Sequence, residues 1–158
     1  MTQDTPPPID LARVMDSTWP AAQTLAVGPC LLRIGAGGGQ RVSAASAEAG
    51  WTEADLDATE AAMDRACQPR LWVVREGQTA LDDALEARGY RVNDPVVAYA
   101  APVAQIATEV PAMAAFAHWP PLAIARDIWA EGGIGPARLA VMERVAGPNA
   151  ANLSRLDD

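Results

Sequence analysis

Positive charge is in short supply. Twelve lysines and arginines stand against twenty aspartates and glutamates, for a formal net charge of −8 over 158 residues. A nucleic-acid partner needs a basic face to replace its counterions, so this balance argues against one. It argues equally against an anionic membrane surface, and a net-acidic chain is kept soluble by self-repulsion. Cysteine is scarce too. Cys30 and Cys67 lack metal-ligand spacing, which argues against a zinc ribbon, and a disulfide between them would require a close approach that sequence does not show. His118 is the single histidine, too little for a metal site with two scattered cysteines. No apolar run reaches the roughly 18 residues of a membrane span. The opening MTQDTPPPIDLARV has neither a basic n-region nor an apolar h-region. Reduced thiols and a cytoplasmic location are therefore expected.

What is present is alanine-rich and apolar. Half of the residues are hydrophobic, enough for one ordinary domain, or a small domain plus part of another. Alanine buries little, so the larger apolar side chains must fix the packing. The pattern predicts a helix over residues 8–18, with Pro8 in its first turn and Ile9, Val14 and Met15 on one side. Apolar stretches at 24–27 and 30–34 read as strands. CLLRI-GAGGG-QRVSAAS reads as strand, hairpin bend and strand. Thr52 and Asp55 have capping-box spacing for a helix that carries Leu56, Glu60, Met63 and Cys67 at helical intervals, with one polar interruption. Residues 71–74 read as a buried strand. TALDDALEARGY reads as a helix closed by Gly89, and residues 92–103 as a further strand with Pro95 near its start or edge.

A proline-rich stretch, 104–120, reads as a linker. It separates residues 1–103 from 121–158, where two helices are expected. The first runs from about residue 121 to 130 and stops at Gly132-Gly133. The second starts at Pro136, carries Leu139, Met142 and Val145, and is followed by the beginning of a strand.

Few residues carry chemistry on their own. GAGGG lacks the third glycine of a dinucleotide loop, where Gln40 stands, and a strand-like segment follows it, so it reads as a bend. Gly132, Gly133 and Gly135 precede a helix, yet Pro136 removes one of the donors an anion would use. His118 joins no Ser-His-Asp or Cys-His arrangement. Cys30 and Cys67 read as core thiols, and Asp55/Asp57 and Asp82/Asp83 as solvated helix faces. With one phenylalanine and two tyrosines, the five tryptophans carry most of the aromatic area. Trp72 falls in the central strand, while Trp119 and Trp129 flank the helix after the linker, where they suit a pocket wall or an interface.

Leu32-Arg33, Arg41 and Ser43, followed by Leu81, Asp82, Leu85, Arg88, Gly89 and Tyr90, match an "LR…R-x-N-S" strand pair and an "LD-x-x-L-x-x-R-G-Y" helix. On these residues the stretch 24–103 resembles the degenerate first unit of tandem GNAT-like N-acetyltransferases. Val42-Ser43-Ala44 departs from the small polar pair of that pattern. WPPLAIARDIWAEGGIGPARLAVMERVAGP resembles the opening of the second, active unit.

The resemblance implies an α/β (α+β) fold: a mixed, mainly antiparallel sheet flanked by helices and incomplete at the C-terminus. It places Trp129, Ile134 and Arg138 beside an acyl acceptor, a small-molecule or peptide amine. Acetyl-CoA is the cosubstrate of the complete family member. The "[RQ]-x-x-G-x-[GA]" turn that holds the CoA diphosphate is absent, so no cofactor-binding residue, metal ligand or catalytic base is assigned. The expectation is a truncated acyltransferase portion, inactive alone, partnered by a missing C-terminal half or a second copy. A non-catalytic GNAT-like interaction module, pairing an exposed half-sheet with another chain, is the alternative.

Overall fold

A computed structural model describes residues 8–109 and 114–154. Among them the chain is mixed α+β, with six helices and two small antiparallel sheets. It divides into two compact units, Trp19–Val97 and a second that combines Met1–Thr18 with Ala98–Asp158.

The first unit opens with a tight hairpin. β1 (Gln23–Val27) and β2 (Cys30–Ile34) pair from Val27↔Cys30 to Gln23↔Ile34 around Gly28-Pro29. β2 continues through a ten-residue loop, 35–44, into β3 (Ala45–Ala47), with Cys30 opposite Ala47 and Leu32 opposite Ala45. The expected strand–bend–strand is therefore present. Its second strand is shorter than the pattern suggested, because residues 40–44 turn inward and bury Val42.

α2 (Glu53–Arg65) packs on this sheet through Leu56, Ala62 and Met63. Thr52 caps it, with the reciprocal bonds of a capping box. The chain then returns parallel to β3 at one bridge, Ala45↔Trp72. The Ala45 N–H donates to Leu71 O at 2.9 Å, and the Val73 N–H donates to Ala45 O at 2.8 Å. Residues 71–74 were expected to form a buried strand. Instead they form a sheet edge: Leu71 and Trp72 are half-buried, Val73 and Val74 exposed. α3 (Thr79–Ala87) follows, with Leu81 and Leu85 in the core.

Two apolar clusters make up that core. Cys30, Ala47, Leu56, Leu81 and Leu85 form one; Leu32, Ala45, Ala62 and Met63 form the other, and the Trp72 ring packs against both. Burial raises the Cys30 thiol above its ordinary value, so it stays protonated core.

Cys67 corrects a second expectation. α2 ends in a Schellman pattern, with Gln68 N–H donating to Met63 O and Cys67 N–H to Asp64 O. Cys67 thus occupies the left-handed position, at φ +52°, and is exposed rather than core. α3 ends in the same way on Gly89, at φ +87°, where glycine carries no penalty.

The expected strand over 92–103 does not form. Residues 91–102 have no regular structure, and Val92, Val96, Val97 and Tyr99 are exposed. Pro95 supplies no N–H for a ladder, and among the described residues the segment is paired with no strand.

The second unit contains α1 (Pro8–Thr18), α4 (Val103–Ile106), β4 (Ala115–His118), α5 (Ala123–Glu131), α6 (Pro136–Glu143) and β5 (Ala151–Ser154). α1 has the bounds its sequence predicts. Its Val14 is exposed, however, while Leu11, Ala12 and Met15 are half-buried; Ile9 lies outside the residues whose side chains are described. The stretch expected as a linker overlaps α4 and contains β4, and β4 pairs antiparallel with β5, His118 opposite Ala151. Residues 110–113 of that stretch lie outside the described residues. Pro136 begins α6 as expected, and Val141 rather than Leu139 is its fully buried side chain.

Candidate functional site

Three places were open to chemistry: the junction between β3 and α2, the GAGGG loop, and the turn between α5 and α6. The first has the strand–turn–helix geometry in which free N–H groups receive an anion. Here the chain supplies the anion itself. Asp55 Oδ2 accepts from the Thr52 N–H at 2.8 Å and from the Thr52 hydroxyl at 2.6 Å. The turn from β1 to β2 crowds the same carboxylate, since a Cβ at Gly28 would lie 2.6 Å from Asp55 Oδ1. Glu48 and Glu53 add negative charge on either side, each held by an arginine (Arg75 and Arg88). An incoming diphosphate would meet carboxylates where it needs donors.

The GAGGG loop is likewise filled from within. The Gln68 side chain spans it, accepting from the Gly35 N–H at 2.8 Å and donating to Arg33 O at 2.8 Å. A Cβ at Gly35 would lie 2.0 Å from Ser43 Oγ, which itself donates to Gly39 O. Arg33 is buried and donates to Ala44 O and Ser46 Oγ, whereas Arg41 is exposed. Of the strand-pair residues singled out in the sequence, Arg33 and Ser43 therefore brace a loop.

The acceptor-side residues stand around a Schellman turn. Ile134 N–H donates to Trp129 O at 2.8 Å and Gly133 adopts φ +80°, so the turn draws Trp129 and Ile134 together through the backbone. Both side chains are half-buried. Arg138 lies one turn into α6, exposed, with its N–H on Gly135 O. No hydrogen bond or ion pair joins Arg138 to the other two among the described residues. His118 ends β4 with Nδ1 3.3 Å from Phe116 O, and its Nε2 is buried without a partner among the described residues. No carboxylate or nucleophile is paired with it. No group of three potential metal ligands occurs among the described residues, and no helix among them is long and apolar enough to cross a membrane.

The most elaborate polar arrangement is one that sequence reading missed. Glu60 lies on the buried face of α2 and accepts from Arg70 at 2.9 Å, Arg88 at 3.3 Å and the Tyr90 hydroxyl at 3.2 Å. Tyr90 in turn accepts from Trp72 Nε1 at 3.2 Å. Arg88 reaches on to Glu53 and Asp57, and Arg70 to Asp64. Burial raises the Tyr90 phenol, with Glu60 reinforcing the shift. The Arg70 guanidinium lowers the Asp64 carboxyl. Both guanidinium groups are held above their ordinary value, Arg70 chiefly by its bond to Asp64 and Arg88 by its bond to Glu53.

This network ties α2, the 70–74 edge and the end of α3 together. Every member is satisfied, so it offers no free acid or base. The polar interruption in the helical repeat is Glu60 itself. A carboxylate on a buried face demands cations, and that was the signal. The Arg-Gly-Tyr ending has the same explanation: the left-handed Gly89 sends Arg88 and Tyr90 back onto Glu60.

Compared with protein-family models, with curated proteins and with solved structures, the chain finds no match.

Proposed function

We propose that this chain is the front portion of a tandem GNAT-family acyltransferase, with a degenerate first unit, Trp19–Val97, that is silent toward acyl-CoA. The reading is supported by the order of elements: an antiparallel meander, a helix, and a return parallel to β3 at Trp72. The observation that carries it is the β3–α2 junction. A CoA-binding unit would offer the diphosphate bare N–H groups at a strand–turn–helix junction, whereas here the Asp55 carboxylate takes the Thr52 N–H and hydroxyl. The unit keeps the architecture and has lost the anion site.

In the complete protein, an amine would attack the thioester carbonyl directly, and backbone donors would stabilise the oxyanion. Residues 121–154 would contribute to the acceptor side, with Trp129 and Ile134 as an apolar wall and Arg138 as an exposed cation. Working in a reducing cytoplasm agrees with two free thiols, one of them exposed. A thermal-shift titration with acetyl-CoA tests the reading. The expected result is no movement of the unfolding midpoint at millimolar ligand. Saturable stabilisation, of the size that ligand at about a hundredfold over its Kd produces, would overturn it.

A further inference from the structure

The first unit has two complementary deficits. Its sheet ends at residues 71–74, where one side of the backbone is bonded to Ala45 and the other is not. The N–H groups of Trp72 and Val74 point away from β3 and find no backbone acceptor among the described residues. Val73 and Val74 are exposed beside them. The second deficit follows α3. Residues 92–97, VNDPVV, have strand composition and no strand partner, with Val92 79 %, Val96 68 % and Val97 74 % exposed, and the apolar run continues to Tyr99. The segment is anchored at its start, where Asn93 Nδ2 donates to Gln40 Oε1 at 3.2 Å. Among the described residues no hydrogen bond joins it to the 71–74 edge.

We propose that a second copy of this chain covers the edge, its residues 92–97 adding as a strand along residues 71–74, with the exchange returned by the first copy. The proposal rests on the open edge and not on the acyltransferase reading. A reciprocal exchange closes under a two-fold axis, leaving neither deficit exposed. Three valines at roughly 80 Å² each give about 240 Å² of donated side chain per copy. Two copies double that to about 480 Å², before the exposed Val73 and Val74 of each receiving edge and the paired backbone are counted toward the roughly 1,600 Å² of a stable specific interface. Pro95 is compatible with an outer strand, which needs donors on one side only.

The test is sedimentation velocity on the whole chain over a range of concentrations, with two variants. Val97→Lys places a charge on the donated segment at an exposed position, so the fold of each copy is untouched. Val74→Pro removes an outward N–H from the receiving edge, and circular dichroism checks that it folds. Wild type is expected to be dimeric at about 100 µM, and each variant to dissociate at least about tenfold more readily. Mixing the two variants restores one of the two exchanges, because one contributes an intact edge and the other an intact segment. A mixed dimer more stable than either homodimer is therefore expected. A monomeric wild type overturns the proposal, as does a Val97→Lys chain that dimerises like wild type. A mixture no tighter than its parents overturns strand-to-edge exchange. The acetyl-CoA titration is a separate readout, so the two readings can fail independently.

Discussion

The two units handle a similar supply of apolar side chains differently. Trp19–Val97 buries Leu32, Val42, Leu56, Met63, Leu81 and Leu85 completely or nearly so, and locks the layers with the Glu60 network. In the other unit Pro121, Ala125, Val141 and Ala151 are the buried apolar side chains described, while Phe116, Leu122, Ile124 and Ile128 remain about half exposed. One region has a core that specifies its own packing. The other has helices and a two-stranded sheet whose larger apolar groups find little cover. Stability should therefore concentrate in the first unit.

Substitutions at comparable side chains sharpen that contrast most. Met63→Ala opens a cavity against Leu32, Ala45 and Ala62 and should cost about 2–5 kcal/mol. Ile128→Ala, at a side chain 52 % exposed, should change stability by less than about 0.5 kcal/mol. Urea unfolding followed by far-ultraviolet dichroism measures both. Equal losses would remove the distinction between the units.

Next in size is the polar network. Glu60→Ala leaves Arg70, Arg88 and the Tyr90 hydroxyl without their shared acceptor and should cost about 2 kcal/mol. Asp64→Ala removes an exposed partner of Arg70 and should cost far less than Glu60→Ala. If the two variants were equally damaging, the network would be worth no more than surface pairing.

How much of this was legible beforehand follows from the kind of signal each residue sends. Local rules transferred well. The Thr52–Asp55 box, Pro8, Pro136, Gly89 and the Gly132-Gly133 stop each fixed an element end, because caps and turns depend on nearby backbone alone. Pairing did not transfer. Residues 92–103 have strand composition yet pair with no strand among the described residues, and residues 71–74 form a single bridge instead of a buried strand. Both outcomes depend on what lies beside the segment. Cys67 shows the same limit at one position: helical spacing counted it on the apolar face, but the helix had already ended at Arg65. At the candidate site, Asp55 was readable as a cap; that its carboxylate lies against the β1–β2 turn at Gly28 required the fold. Trp129, Ile134 and Arg138 were placed by resemblance, and only the turn joining the first two has a structural counterpart.

A smaller effect tests the shared helix ending. α3 stops on Gly89 and α2 on Cys67, both left-handed. Gly89→Ala should therefore cost about 1 kcal/mol, and Cys67→Gly should add about 0.5–1 kcal/mol, because an exposed cysteine at φ +52° carries the strain glycine avoids. Thermal unfolding of the pair should shift in opposite directions. Losses in both would mean that Cys67 makes contacts worth more than its backbone strain.

The smallest expected effect is confined to alkaline pH and follows from Tyr90. Burial, reinforced by Glu60, holds its phenol above the ordinary value near 10. Below pH 10 the hydroxyl is protonated whether the chain is folded or not, so the contribution of its bond to Glu60 is fully present. As pH rises past that point the unfolded chain releases the proton first. It then binds fewer protons than the native state, and stability falls until the folded phenol has titrated as well. In a Tyr99→Phe background the phenolate absorbance of the native protein should rise at higher pH than in the urea-unfolded chain. Glu60→Gln should narrow that gap by removing the neighbouring charge, while burial keeps some of it. Coincident titrations of native and unfolded protein would mean that water reaches Tyr90. The polar layer that distinguishes the first unit from the second would then be a surface feature rather than part of its core.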